Sequence, residues 1–152
     1  MSHQILLWAH VATGIIAWIA GAVALWTNLP GQRSRGALAA FHWSVLAVAV
    51  TASALVANQP AQLWWLWLLA ILSYGLALLG FLAPRDRSLG WLRLGIHGQG
   101  GACIALVTAT FVVSVDGLTR IAAWSLPTLV GVPLLELWYR RAAALTPQGA
   151  RP

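Results

Sequence analysis

The chain has 152 residues, of which 60% are hydrophobic and 8% charged, and its mean hydropathy is +0.78. Soluble domains carry roughly 25% charged residues, so nine basic and three acidic side chains leave an aqueous surface of this size mostly apolar. The formal charge of +6 does not point to nucleic acid, because the chain has no lysine and its nine arginines lie at or beyond the ends of hydrophobic runs, where they meet lipid headgroups and set topology.

A spanning helix needs about 20 apolar residues at a rise of about 1.5 Å each, and five segments reach or approach that length. The first runs from about Ile5 to Thr27. Met1-Ser2-His3-Gln4 lacks the positive flank of a secretory signal, so this stretch is expected to be a retained helix. Turn residues and charge over 28–36 break it. The second runs from about Ala37 to Asn58 and stops at Gln59-Pro60. The third runs from about Leu63 to Ala83 and stops at Pro84-Arg85-Asp86-Arg87. The fourth runs from about Trp91 to Val115 and ends at Asp116-Gly117. The fifth runs from about Ile121 to Tyr139, before Arg140-Arg141 and a polar tail over 142–152. It holds Pro127, Gly131 and Pro133, which predict a kink.

The reading is therefore an all-α integral membrane bundle of five transmembrane helices, a single domain over 1–141. Arg33 and Arg35, Arg85, Arg87 and Arg93, and Arg140, Arg141 and Arg151 fall on one side of a five-span arrangement, and Arg120 alone on the other. The positive-inside rule then puts the N-terminus outside and the C-terminus in the cytoplasm. Eight of the ten tryptophans lie near segment ends, as an interfacial belt requires; Trp18 and Trp67 sit deeper. Small residues at four-residue steps, Ala17 and Gly21 in the first helix and Gly98/Ala102 and Gly101/Ala105/Ala109 in the fourth, allow close helix approach. They make the fourth helix the expected centre of the bundle. Cys103, the one cysteine, stands in an apolar run and reads as an inert small hydrophobe.

Ionisable groups inside spans are costly and mark functional sites. Here they are His10, His42, His97 and Glu136. At about 1.5 Å per residue, His10 lies about 8 Å in from the outer end. His42, His97 and Glu136 lie about 8, 9 and 5 Å in from the cytoplasmic end. Two histidines at one depth on two helices match the axial ligands of a six-coordinate haem b, with Gly98, Gly100 and Gly101 leaving room for the macrocycle beside His97. The same depth match allows a zinc or iron site of His42, His97 and Glu136, or proton and quinol chemistry on a His–Glu pair. Beside these stands a purely structural reading. Glu136 is four residues before Arg140 and can pair with it, and each histidine can bond a carbonyl or hydroxyl on a neighbouring helix. Tyr74, Ser73, Thr108 and Thr110 can satisfy their hydroxyls within the helix. No Walker-type loop, GxGxxG before a helix, HExxH or paired intramembrane aspartates occur.

The run His10-Val11-Ala12-Thr13-Gly14, then Gly21, then His42 after an arginine-containing loop resembles the small bacterial membrane proteins of the DUF2306 type. The stretches His97–Val113, HGQGGACIALVTATFVV, and Trp124–Pro133, WSLPTLVGVP, are similar to that family's later helices. The chain departs from the family pattern after His42, where Trp43 and Leu46 stand. The resemblance implies the multi-span topology and marks His10, His42 and His97 as positions of interest; it implies no activity. Two functions are expected from the residues: a haem b-binding electron-transfer or redox subunit using His42 and His97, with His10 as a further cofactor-facing candidate, or a non-catalytic accessory subunit. Partners would be the bilayer and a larger membrane complex or a second copy.

Overall fold

In a computed structural model, the described residues are 3–27, 34–58, 60–83, 89–115 and 119–145. Five helices account for nearly all of them: α1 (His3–Trp26), α2 (Arg35–Asn58), α3 (Pro60–Leu82), α4 (Leu89–Ser114) and α5 (Thr119–Ala144). Each is long and apolar enough to cross a membrane, which is the character of a multi-pass membrane protein.

Local chemistry sets the ends. Ser34 caps α2, its Oγ accepting the Ala37 amide at 3.3 Å. Asn58 closes α2 by donating its side-chain amide back to the Ala54 carbonyl. Pro60 opens α3, where its missing N–H costs nothing. At the other extreme, α5 runs unbroken through Pro127 and Pro133 and past the expected stop at Tyr139 to Ala144. Helix-favouring alanines at 142–144 carry it on, and Arg140 and Arg141 suit the negative end of the helix dipole. The expected breaks over 28–33, 84–87 and 116–117 and the tail beyond Leu145 lie outside the described residues.

The helices run up and down. α1 packs on α2, α2 on α3, α3 on α4, and α4 back on α1, so that the first four form a closed ring. α5 packs on α4 from outside the ring. It also touches α1 through Trp138, whose indole N–H donates to the Leu25 carbonyl at 3.2 Å and whose ring lies 5.9 Å from that of Trp26. The spans differ sharply in burial: half of the membrane-length window of α4 is buried, against 6% for α5. The fourth helix is thus central, as its small residues predict.

Glycines let α4 approach its neighbours. A Cβ on Gly98 would lie 2.6 Å from the Gly80 nitrogen of α3, backbone against backbone. One on Gly21 of α1 would lie 2.7 Å from Cys103 Sγ of α4 and 2.8 Å from Phe41 of α2. One on Gly131 of α5 would lie 2.5 Å from Ile104 of α4. The ring's core of Ala17, Ala20, Phe41, Val45, Ala102 and Leu106 is built on these close approaches. Among the described side chains, Arg35, Arg93, Arg140 and Arg141 all fall at one end of the bundle, where α2 and α4 begin and α5 ends. We call this the arginine end.

Candidate functional site

The ionisable groups within the helices divide between the two ends. At the arginine end, α4 turns His97 toward α5. Its Nδ1 donates to the Arg93 carbonyl at 2.9 Å, one turn back on α4, and its Nε2 lies 3.7 Å from Glu136 Oε2. Tyr139, one turn beyond Glu136, meets the imidazole edge-on at 5.8 Å and carries the Arg93 guanidinium 5.7 Å over its own ring. The other Glu136 oxygen accepts from Arg140 Nε at 3.0 Å, the pairing that the four-residue spacing predicts. Glu136 thus bridges a histidine and an arginine at the α4–α5 seam.

His42, at the same depth on α2, faces elsewhere. It is buried, with its imidazole stacked on Phe81 of α3 at 4.5 Å and 17°, and with Tyr74 at 5.6 Å and Trp43 at 5.1 Å. Its Nδ1 is buried and has no hydrogen-bond partner among the described residues. So His42 has a nitrogen to offer, whereas both nitrogens of His97 face protein groups on α4 and α5.

The two histidines expected at one depth share no neighbouring group among the described residues. Depth fixes height along the bundle, but the two rings point to different neighbours, α3 for one and α5 for the other. Nor do the glycines leave room for a macrocycle. A Cβ on Gly98 would meet Gly80 and Leu76, one on Gly101 would meet Leu76, and one on Gly100 would run into Leu135. Helix packing fills the space. The metal set fares the same way: among the described residues no three His, Cys, Asp or Glu side chains come together to hold an ion, so His42, His97 and Glu136 do not form one.

At the opposite end stands His10, and here the structure opens. A cavity of about 470 Å³ lies inside the ring, bounded by His10, Gly14 and Trp18 of α1, Ala52 of α2, Ser73 of α3 and Thr110 of α4. None of the described side chains of α5 lines it. The walls are mostly apolar side chains. Gly14 faces free space: a Cβ there would meet no atom within 4 Å. His10 is held against the wall by its Nδ1, 2.9 Å from Thr51 Oγ1 on α2. Thr51 spends its own hydroxyl hydrogen on the Ala47 or Val48 carbonyl, at 2.8 and 3.1 Å. With that hydrogen so placed the Thr51 oxygen accepts, and Nδ1 of His10 is assigned as the donor, toward Thr51 Oγ1 and the Val48 carbonyl beside it.

Sequence reading finds His10 but neither Thr51 nor the cavity, because both depend on which faces of α1 and α2 meet. It also passes over Gln99, fully buried between Gly98 and Gly100, whose Nε2 donates to the Gly80 carbonyl of α3 at 3.3 Å. An amide in an apolar run between glycines is the signal that could have found it. Ser73, Thr108 and Thr110 do bond their own helix carbonyls, at 2.6, 2.9 and 3.0 Å. Set beside known protein families, curated proteins and solved structures, the chain matches none, and the DUF2306 likeness rests on the quoted residues.

Proposed function

We propose that this is a multi-pass protein of the bacterial cytoplasmic membrane that binds a lipid-soluble small molecule inside its helix ring. The single observation behind this reading is the cavity of about 470 Å³ with His10 in its wall. Small-molecule sites fall at about 300–1,000 Å³, mostly apolar with few polar groups that fix orientation, and this cavity has that make-up. Well-packed helix bundles leave few voids larger than a water, so a space this large among four helices is not packing slack. The arginine end faces the cytoplasm, following the positive-inside rule, so that the cavity sits in the outer half of the membrane.

Gly14 gives a clean test, because its open surroundings let a side chain enter the cavity without displacing the backbone. Purified protein in detergent is titrated with 1-aminoanthracene, a fluorescent probe of apolar cavities. Wild-type protein should bind it saturably, and Gly14→Leu should bind at least tenfold more weakly with unchanged helix content by circular dichroism. Equal binding by the two proteins would remove the cavity from the account.

A further inference from the structure

The polar groups around the cavity are one-sided in what they can offer a ligand. His10 gives its Nδ1 hydrogen to Thr51. In the neutral imidazole that leaves Nε2 as a bare acceptor, because the ring's second partner, the Val48 carbonyl, lies 3.1 Å from Thr51 Oγ1 and so on the Nδ1 side. The lining hydroxyls have no donor to spare. Ser73 donates to Leu69, Thr110 to Leu106, and Ser114 to Thr110, at 2.6, 3.0 and 2.7 Å. The lining side chain that does carry a spare N–H, Trp18, is eight residues further along α1, about 12 Å away at 1.5 Å per residue. At the His10 end, then, the wall accepts hydrogen bonds and gives none.

From this asymmetry we infer that the cavity selects a lipid-soluble alcohol or phenol, whose hydroxyl donates its hydrogen to Nε2 of His10. The inference rests on the proposed ligand-binding role and names the chemistry that role serves. A ligand with only a carbonyl or ether oxygen would bring an acceptor against acceptors and lose its hydrogen bond to water with no replacement. A hydroxyl keeps a partner. By the same logic a hydroquinone is favoured over its quinone, whose oxygens can only accept. Thr51 is the positioning residue: it favours the tautomer that makes Nε2 the acceptor, and it does so from the neighbouring helix α2.

The test compares 2-naphthol with 2-methoxynaphthalene, which share a body and differ in the hydroxyl hydrogen. Each displaces 1-aminoanthracene from wild-type protein, Gly14→Leu and His10→Phe. A net hydrogen bond of about 1 kcal/mol corresponds to roughly fivefold in affinity, so wild-type protein should prefer 2-naphthol by about that factor. His10→Phe keeps the apolar volume and should lose the preference by weakening 2-naphthol alone. Equal affinities in wild-type protein, or a preference that survives His10→Phe, would overturn the hydroxyl assignment while leaving the cavity as a binding site. Undiminished binding of both compounds to Gly14→Leu would instead remove the site itself. The wild-type comparison decides the hydroxyl question even if His10→Phe is recovered in poor yield.

Discussion

Gly98 and Gly14 sit in helices of one ring, yet a methyl group means opposite things at the two positions. At Gly98 it would arrive 2.6 Å from a backbone nitrogen of α3, and nothing there can swing aside. Gly98→Ala should destabilise the protein by about 1–3 kcal/mol, the usual cost of overpacking. At Gly14 it would meet nothing. Gly14→Ala should be neutral or stabilising by up to about 1 kcal/mol through helix propensity. Thermal unfolding midpoints in one detergent check both, and similar shifts of one sign would contradict the packing described here. The histidines carry a second residue-scale prediction. With His97 held between the Arg93 carbonyl and Glu136, and His42 stacked on Phe81, protein purified from haem-replete membranes should show no Soret band. A band lost in both His42→Ala and His97→Ala would restore the two-histidine site. The intramembrane histidines, and the Glu136–Arg140 pair, are legible in the sequence because charge and imidazole stand out in an apolar run. Their directions are not. Each of these helices is apolar nearly all round, so no polar stripe reports its rotation, and rotation decides that His97 looks to α5 rather than to His42.

Among the elements, α5 is the one held most lightly. It stands outside the ring, only 6% of its span is buried, and Pro127 and Pro133 each remove a backbone hydrogen bond. Its grip on α4 includes two tight contacts, Gly131 against Ile104 and Leu135 over Gly100, beside the polar seam of His97, Glu136 and Tyr139. Gly131→Leu should therefore loosen α5 alone. Hydrogen exchange in micelles should quicken across 121–144 and stay unchanged in α1–α4, as expected of a separable unit. Exchange that quickened throughout the ring would show that α5 braces the whole bundle. The element boundaries were largely open to sequence reading, since prolines, glycines and charges interrupt the hydrophobic runs. The extension of α5 to Ala144 was not. Two arginines read as the end of an apolar segment, but a helix continues through them where solvent or headgroups meet its polar side.

For the molecule as a whole, the arginine end turns a charge count into a shape. Arg35, Arg93, Arg140 and Arg141 converge on one end although they come from three helices, as an up-and-down bundle requires. In a Cys103→Ala background, Ser34→Cys and Leu145→Cys should be labelled by an impermeant maleimide only from the cytoplasmic face. Asn58→Cys and Thr119→Cys should be labelled only from outside. Labelling of Ser34→Cys and Leu145→Cys from different faces would break the five-span arrangement. The fold class follows from composition, because an aqueous medium cannot accommodate so little charge. The cavity does not, since it arises from four helices meeting imperfectly at one end, a property of no single segment.

The ring closes only where α4 meets α1, at Cys103 against Gly21. During synthesis the first three helices leave the ribosome before that closure is available, and in that interval the future binding space is a lipid-filled trough open along one side. Arrival of the fourth helix narrows the trough without sealing it, since Val11, Ile15 and Trp18 in its wall stay exposed at the outer surface of the bundle. An occupant is therefore expected to exchange with the bilayer after folding, through the side on which these residues stand.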